Sequence, residues 1–98
     1  MKDHELKCWP ALFHPVSLGL KALEYRRNDR GFEVGDTLWL REYEPEDGTY
    51  TGLNCRVLVQ AVWTAVDIPG LPHDFCVMQV LLAQAPWKIE PSKEVKGL

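Results

Sequence analysis

No apolar run in this chain exceeds a few residues, far short of the roughly 20 needed to cross a bilayer as a helix. A soluble protein with no membrane partner is expected. The opening, Met1-Lys2-Asp3-His4-Glu5, lacks the apolar stretch of a signal peptide, and the end carries no prenylation or retention signal, so the expected compartment is the cytoplasm. Cysteine is scarce: Cys8, Cys55 and Cys76 are an odd number at wide spacings, which argues against a disulfide framework and suits reduced, buried thiols. The one zinc set that can be imagined, His4, Cys8, His73 and Cys76, has no Cys-x-x-Cys knuckle, and core packing explains its cysteines better. No metal and no cofactor are expected. Also missing are a glycine-rich phosphate loop, a G-x-S-x-G elbow, an H-E-x-x-H pair and a dinucleotide fingerprint, which removes the common enzyme signatures.

What is present fits one small domain. The 98 residues are 46% hydrophobic and 26% charged, close to the soluble globular average, so the chain should fold around a single core. The net charge of -3 hides an asymmetry. Residues 1–30 carry six Lys/Arg against four acids, whereas residues 31–98 carry five against ten. Binding to long duplex DNA depends on neutralising many phosphates, which an acidic chain does poorly. Any nucleic-acid site should therefore be small, N-terminal, and suited to a short RNA or a nucleotide.

Period-2 patterning predicts most of the chain as strand. Residues 4–9 read as a short opening strand with Leu6 and Cys8 on one face. Pro10 suits the first turn of a helix over 10–19, which Pro15 should kink or break and Gly19 should end. In the strand over 21–27, Leu23 and Tyr25 face one way and Glu24 and Arg26 the other, with Tyr25 assigned to the core. A third strand spans 37–43, and a polar loop runs from Glu44 to Gly52. Alternating apolar positions from Leu53 to Ala65, with Asn54 and Arg56 between them, predict a long strand with one buried face. After the Pro/Gly loop 67–74, Phe75 to Ala83 is apolar on both faces and predicts a central strand covered on both sides. Residues 1–89 make the domain and 90–98 a frayed tail. The fold class is α+β: a curved mixed sheet of about five strands with one early helix.

One composite motif stands out. Gly19-Leu20-Lys21-Ala22-Leu23-Glu24-Tyr25-Arg26 is followed by Asn28-Asp29-Arg30-Gly31, Gly35-Asp36 and the strand Leu38 to Glu42. This resembles the ASCH family of the PUA-like superfamily, with its G-x-K-x-x-E-x-R segment, short loop, G-D and strand. The resemblance is closer to one branch, the DUF3850 family of small bacterial and phage proteins. Its further blocks are similar to His4-Glu5-Leu6-Lys7, Val34-Gly35-Asp36, Tyr50-Thr51-Gly52 and Pro69-Gly70-Leu71-Pro72. It covers about residues 4–82, with Pro15 an oddity within it.

The resemblance implies a PUA-like β-barrel with a cleft beside the first helix, and a superfamily habit of binding RNA or modified nucleotides. Lys21 and Arg26 could contact phosphate or a base carbonyl, and Glu24 could accept from an amino group. Asn28, Arg30, Lys7 and His4 complete the candidate ligand set. From composition alone, a solvated Glu24–Arg26 ion pair and a capped turn at Asn28-Asp29-Arg30 are simpler readings; the resemblance turns the preference towards a site for Lys21, Glu24 and Arg26. Asp36 is assigned to its own turn, and Trp39 and Trp63 to the core.

Two alternatives stay open. Some ASCH proteins are amidohydrolases on acylated cytidines, using the lysine, a threonine three residues later and a distant glutamate. Here the threonine position is Glu24, a carboxylate that keeps Lys21 charged and opposes its use as a general base. The 67–74 loop offers only Asp67 and Asp74 for the glutamate, so hydrolysis ranks below binding, with Lys21 and Glu24 as its catalytic candidates. The phage context, with the acidic stretch Glu42-Glu44-Glu46-Asp47, suggests an inhibitor that binds a host protein.

Overall fold

The computed structural model describes residues 1–20 and 22–89. Among these, the elements are β1 (Asp3–Cys8), α1 (Pro10–Ser17), β2 (Leu23–Arg27), β3 (Thr37–Glu44), β4 (Thr49–Trp63) and β5 (Phe75–Lys88). They form one sheet in the order β1-β3-β4-β5-β2. β1 runs parallel to β3, and every other pair is antiparallel. The sheet curls into a half-barrel whose concave face holds the core. Three register irregularities in the β4–β5 ladder bend these two long strands, as bulges do. None of the described helices is long and apolar enough to cross a membrane.

The core follows from alternation. His4, Leu6 and Cys8 point inward from β1, Leu38 and Leu40 from β3, and Cys55, Val57 and Val59 from β4. Phe13 and Val16 of α1 add to the same cluster. The helix is tied to the sheet by a buried carboxylate: His14 Nε2 lies 3.0 Å from Glu42 Oε2, and Thr51 Oγ1 donates to Glu42 Oε1 at 2.6 Å. Glu42 is thus an interior anchor, not part of an acidic surface stretch.

Several expectations need correction. α1 runs through Pro15 without a break, because the amide that proline lacks would have bonded only Ala11, an exposed residue whose carbonyl water can satisfy. The helix ends at Ser17, and Gly19 turns the chain at φ 73°. The polar loop shrinks to residues 45–48, since Tyr43 pairs with Tyr50 and Glu44 with Thr49. β4 accordingly starts at Thr49 and ends at Trp63. β5 continues to Lys88 past Pro86, which is tolerated because β2 pairs only with Phe75 to Gln79 and leaves the far part of β5 as an edge. Only one face of β5 is covered, leaving Leu81 half exposed, and the middle strand is β4.

The most consequential correction concerns β2. Glu24 is 3% exposed and Tyr25 54% exposed, the reverse of the expected faces. Glu24 pairs with Met78 and Arg26 with Cys76, both buried, and directly opposed residues share a face of the sheet. The polar face of β2 therefore looks into the half-barrel, while Tyr25 stacks on Phe75 outside it, with ring centroids 4.9 Å apart.

Among the described residues the convex face carries no helix and is covered by long side chains instead. Arg41 lies over the Tyr50 and Trp39 rings at 3.8 and 5.1 Å, and Arg56 over Trp39 and Trp87 at 5.2 and 5.5 Å. Glu5 pairs with Arg41 and Asp3 with Arg56. Asn54 is buried here, accepting from Trp39 Nε1 at 3.0 Å. Trp39 belongs to this outer layer, and Trp63, half-buried, lies outside the core cluster. Such cation–π contacts and aliphatic stems substitute for a second packed layer.

Gly52 is the tightest point. Its φ is 96°, its carbonyl accepts from the Ile89 amide at 2.7 Å, and an added Cβ would stand 2.4 Å from the Ile89 carbonyl oxygen. Gly52→Ala is expected to destabilise the protein by more than about 1 kcal/mol, lowering Tm by at least about 4 °C for a domain of this size. Thermal unfolding followed by circular dichroism checks this.

Candidate functional site

The half-barrel leaves a seam between its two edge strands, β1 and β2. Side chains of His4, Leu6 and Cys8 point inward, so those of Glu5 and Lys7 point outward. The carbonyls of Glu5 and Lys7 face the seam. Arg26 Nη1 donates to Lys7 O and Arg30 Nη1 to Glu5 O, each at 2.9 Å. Each guanidinium is held by a backbone oxygen, and with five N–H donors per arginine, further donors remain to meet a ligand.

Two adjoining cavities open at this seam. One, of about 630 Å³, is lined by Glu5, Leu6, Lys7, Arg26, Arg27, Asp29, Arg30, Phe32 and Tyr50. Its four cations outnumber two carboxylates. Glu5 is also paired with Arg41 at 2.8 Å, Arg27 with Asp74 and Arg26 with Glu24, while Lys7 Nζ lies over the Tyr43 ring at 4.4 Å. The other, of about 540 Å³, is lined by Trp9, Leu12, Tyr25, Phe75, Cys8 and Glu24, and shares Lys7 and Arg26 with the first.

Of the expected residues, the structure brings Lys7, Glu24, Arg26 and Arg30 to the seam. The ion pair expected from composition forms too, with Arg26 Nε 3.3 Å from Glu24 Oε2. Asn28 does not line either cavity; its amide donates to Asp74 O and ties the turn to the 64–74 loop. Lys21 and the expected tail 90–98 lie outside the described residues. Sequence reasoning missed Arg27, Asp29, Phe32 and Tyr50, and placed Tyr25 on the wrong side. Tyr50 stood inside a recognised block, Tyr50-Thr51-Gly52, so only its direction was hidden.

His4 serves the fold. Its Nε2 is 2.9 Å from Asp36 Oδ2, and because a carboxylate only accepts, that nitrogen carries the proton. Asp36 also accepts the Lys2 and Glu33 amides, both at 3.0 Å, and so binds its own turn. Cys55 is fully buried, and burial first, then the Glu24 charge, pushes its thiol up to about 11. Cys76 is also raised, by burial and then Asp29. His73 is exposed while Cys8 and Cys76 are core, and the described residues hold no cluster of three or more metal-ligating side chains.

A curled α+β half-barrel with a basic cleft at its seam is the class of protein these features define. The chain belongs to the DUF3850 family, a domain of unknown function whose pattern matches residues 3–80. It is 31% identical over 83 residues to an uncharacterized 12.9 kDa protein in the GpA 3′ region of Escherichia phage P2, spanning 85% of this chain and 72% of that one.

The Asp36 network has a pH signature. The His4 hydrogen bond, with the two amides, holds the carboxyl at about 2 against burial that opposes it. A depressed carboxylate stabilises the fold above its unfolded value near 3.8 and loses that contribution as pH falls towards 2. Wild type should exceed Asp36→Asn by on the order of 1–2 kcal/mol at pH 7, allowing for solvent screening near this end of the sheet. The difference should shrink below about pH 5 and vanish only as pH falls below about 2 in urea unfolding series.

Proposed function

We propose that the seam cleft binds a nucleotide or a short single-stranded RNA, with Arg26, Arg30 and Lys7 receiving phosphate. The observation that carries this reading is the convergence of four basic side chains, Lys7, Arg26, Arg27 and Arg30, on one cavity of a chain whose net charge is -3. The attraction is local, which suits a small anion and not a long duplex. Guanidinium groups already anchored on β1 carbonyls lose little freedom on meeting phosphate, which favours binding. The ASCH resemblance supports the same reading, and carries Lys21 into it by sequence alone.

Titration of the whole protein against short RNAs and nucleotides at two salt concentrations tests the proposal. Arg30→Ala and Arg26→Ala should each weaken binding about tenfold or more, since a charge-assisted hydrogen bond contributes roughly 1.5–3 kcal/mol. Each should also reduce the salt slope by about 0.7 for every phosphate that the protein no longer neutralises. Absence of binding, or binding untouched by both changes, would overturn the reading and put an inhibitor of a host protein first. Acetylated cytidine in the same panel examines the enzymatic alternative, which deacylation abolished by Lys21→Ala would establish.

A further inference from the structure

The two guanidinium bridges across the seam have a fixed spacing. Arg26 stands in β2 and Arg30 three residues beyond its end, so neither strand nor turn alone sets their separation. β1 sets it. Glu5 and Lys7 are two residues apart on that strand, and their carbonyls, on its free edge, lie about 6.5 Å from each other at a strand's rise per residue. Each carbonyl accepts one Nη1 at 2.9 Å, so the two guanidinium groups stand a similar distance apart in the wall of the same cavity. Arg30 spends one of its five N–H donors on this bond, and Arg26 spends two, counting its contact with Glu24. Leu6 and Phe32, both buried, line the cavity beside them, and an apolar wall strengthens the attraction between a guanidinium and an anion.

Successive phosphates of a nucleic-acid strand are joined through six single bonds of about 1.5 Å each, and stand a comparable distance apart along an extended backbone. The two phosphorus atoms of a diphosphate share one bridging oxygen and are far closer. A mononucleotide offers one phosphate only. Resting on the phosphate reading above, we propose that Arg26 and Arg30 receive two successive phosphates of one RNA strand, so that the preferred ligand has at least two nucleotides. Both guanidinium groups are positioned in advance on β1, which lowers the ordering cost of engaging them. The second contact then adds to the first without a second loss of overall freedom, as in any linked pair of binding events. Asp29 lines the same cavity and repels anions, so a phosphate gains most where it meets a guanidinium directly.

Calorimetric titration of the whole protein with UMP, UDP, UpU and its 5′-phosphorylated form pUpU keeps the base constant and varies the phosphates. UDP and pUpU carry the same formal charge when fully ionised and differ in the spacing of their phosphates. pUpU should bind about tenfold or more tighter than either UDP or UpU, the gain from one further charge-assisted contact. Its affinity should fall with salt at a logarithmic slope of about -1.4, against about -0.7 for UpU. Arg30→Ala, a change at an exposed side chain whose hydrogen bond is to the Glu5 carbonyl, should remove the advantage of pUpU over UpU. Arg26→Ala should do the same, and Arg30→Ala decides the matter if that variant, which takes a partner from buried Glu24, does not fold. If pUpU binds no tighter than UDP, or keeps its advantage over UpU in Arg30→Ala, the two-phosphate spacing is wrong, while binding of UMP keeps the phosphate reading. If none of the four ligands binds, both readings fall.

Discussion

Two edge strands that do not pair with each other govern this molecule. The sheet begins with β1 and ends with β2, and these two edges share no ladder. Guanidinium groups bridge them, Arg26 to the Lys7 carbonyl and Arg30 to the Glu5 carbonyl. Pairing the edges directly would close the barrel and remove the cleft. The side-chain bridge satisfies strand edges that would otherwise invite association, and keeps both cavities open.

The interior is unusually polar for so small a core. Glu24, Glu42, Asp36 and His4 are all buried, each against a named partner. A buried charge without partners would cost several kcal/mol, so these groups act as fixed points: Glu42 seats the helix, Asp36 fixes the turn before β3, and Glu24 orients Arg26. Only the last lies at a cavity. The outer layer of arginines on aromatic rings makes a comparable trade on the convex face.

Membership of the DUF3850 family and the likeness to a phage P2 protein place the chain without assigning it a ligand. Function must come from the site, since a fold hosts many activities. Here the site offers basic side chains at the seam between β1 and β2, with exposed apolar side chains beside them.

The sequence by itself determined the elements and much of the site. Alternation over Leu53 to Trp63, the turn residues at Gly35-Asp36 and proline at the start of the helix are local signals, and local sterics decide them. The charged face of β2 was equally legible, since period 2 puts Glu24 and Arg26 together whatever the strand packs against. Only the tertiary structure decided which way that face looks. Inward and outward are properties of the neighbouring strand, and the pairing of Glu24 with Met78 and Arg26 with Cys76 turns the polar face into the half-barrel. The same holds for Tyr50 and Phe32, which reach the cavity from distant segments, and for Asn54, whose burial depends on Trp39 across the ladder. Periodicity is a property of one strand, whereas a cleft is made by the register between strands and by the curl that brings the first edge to the last.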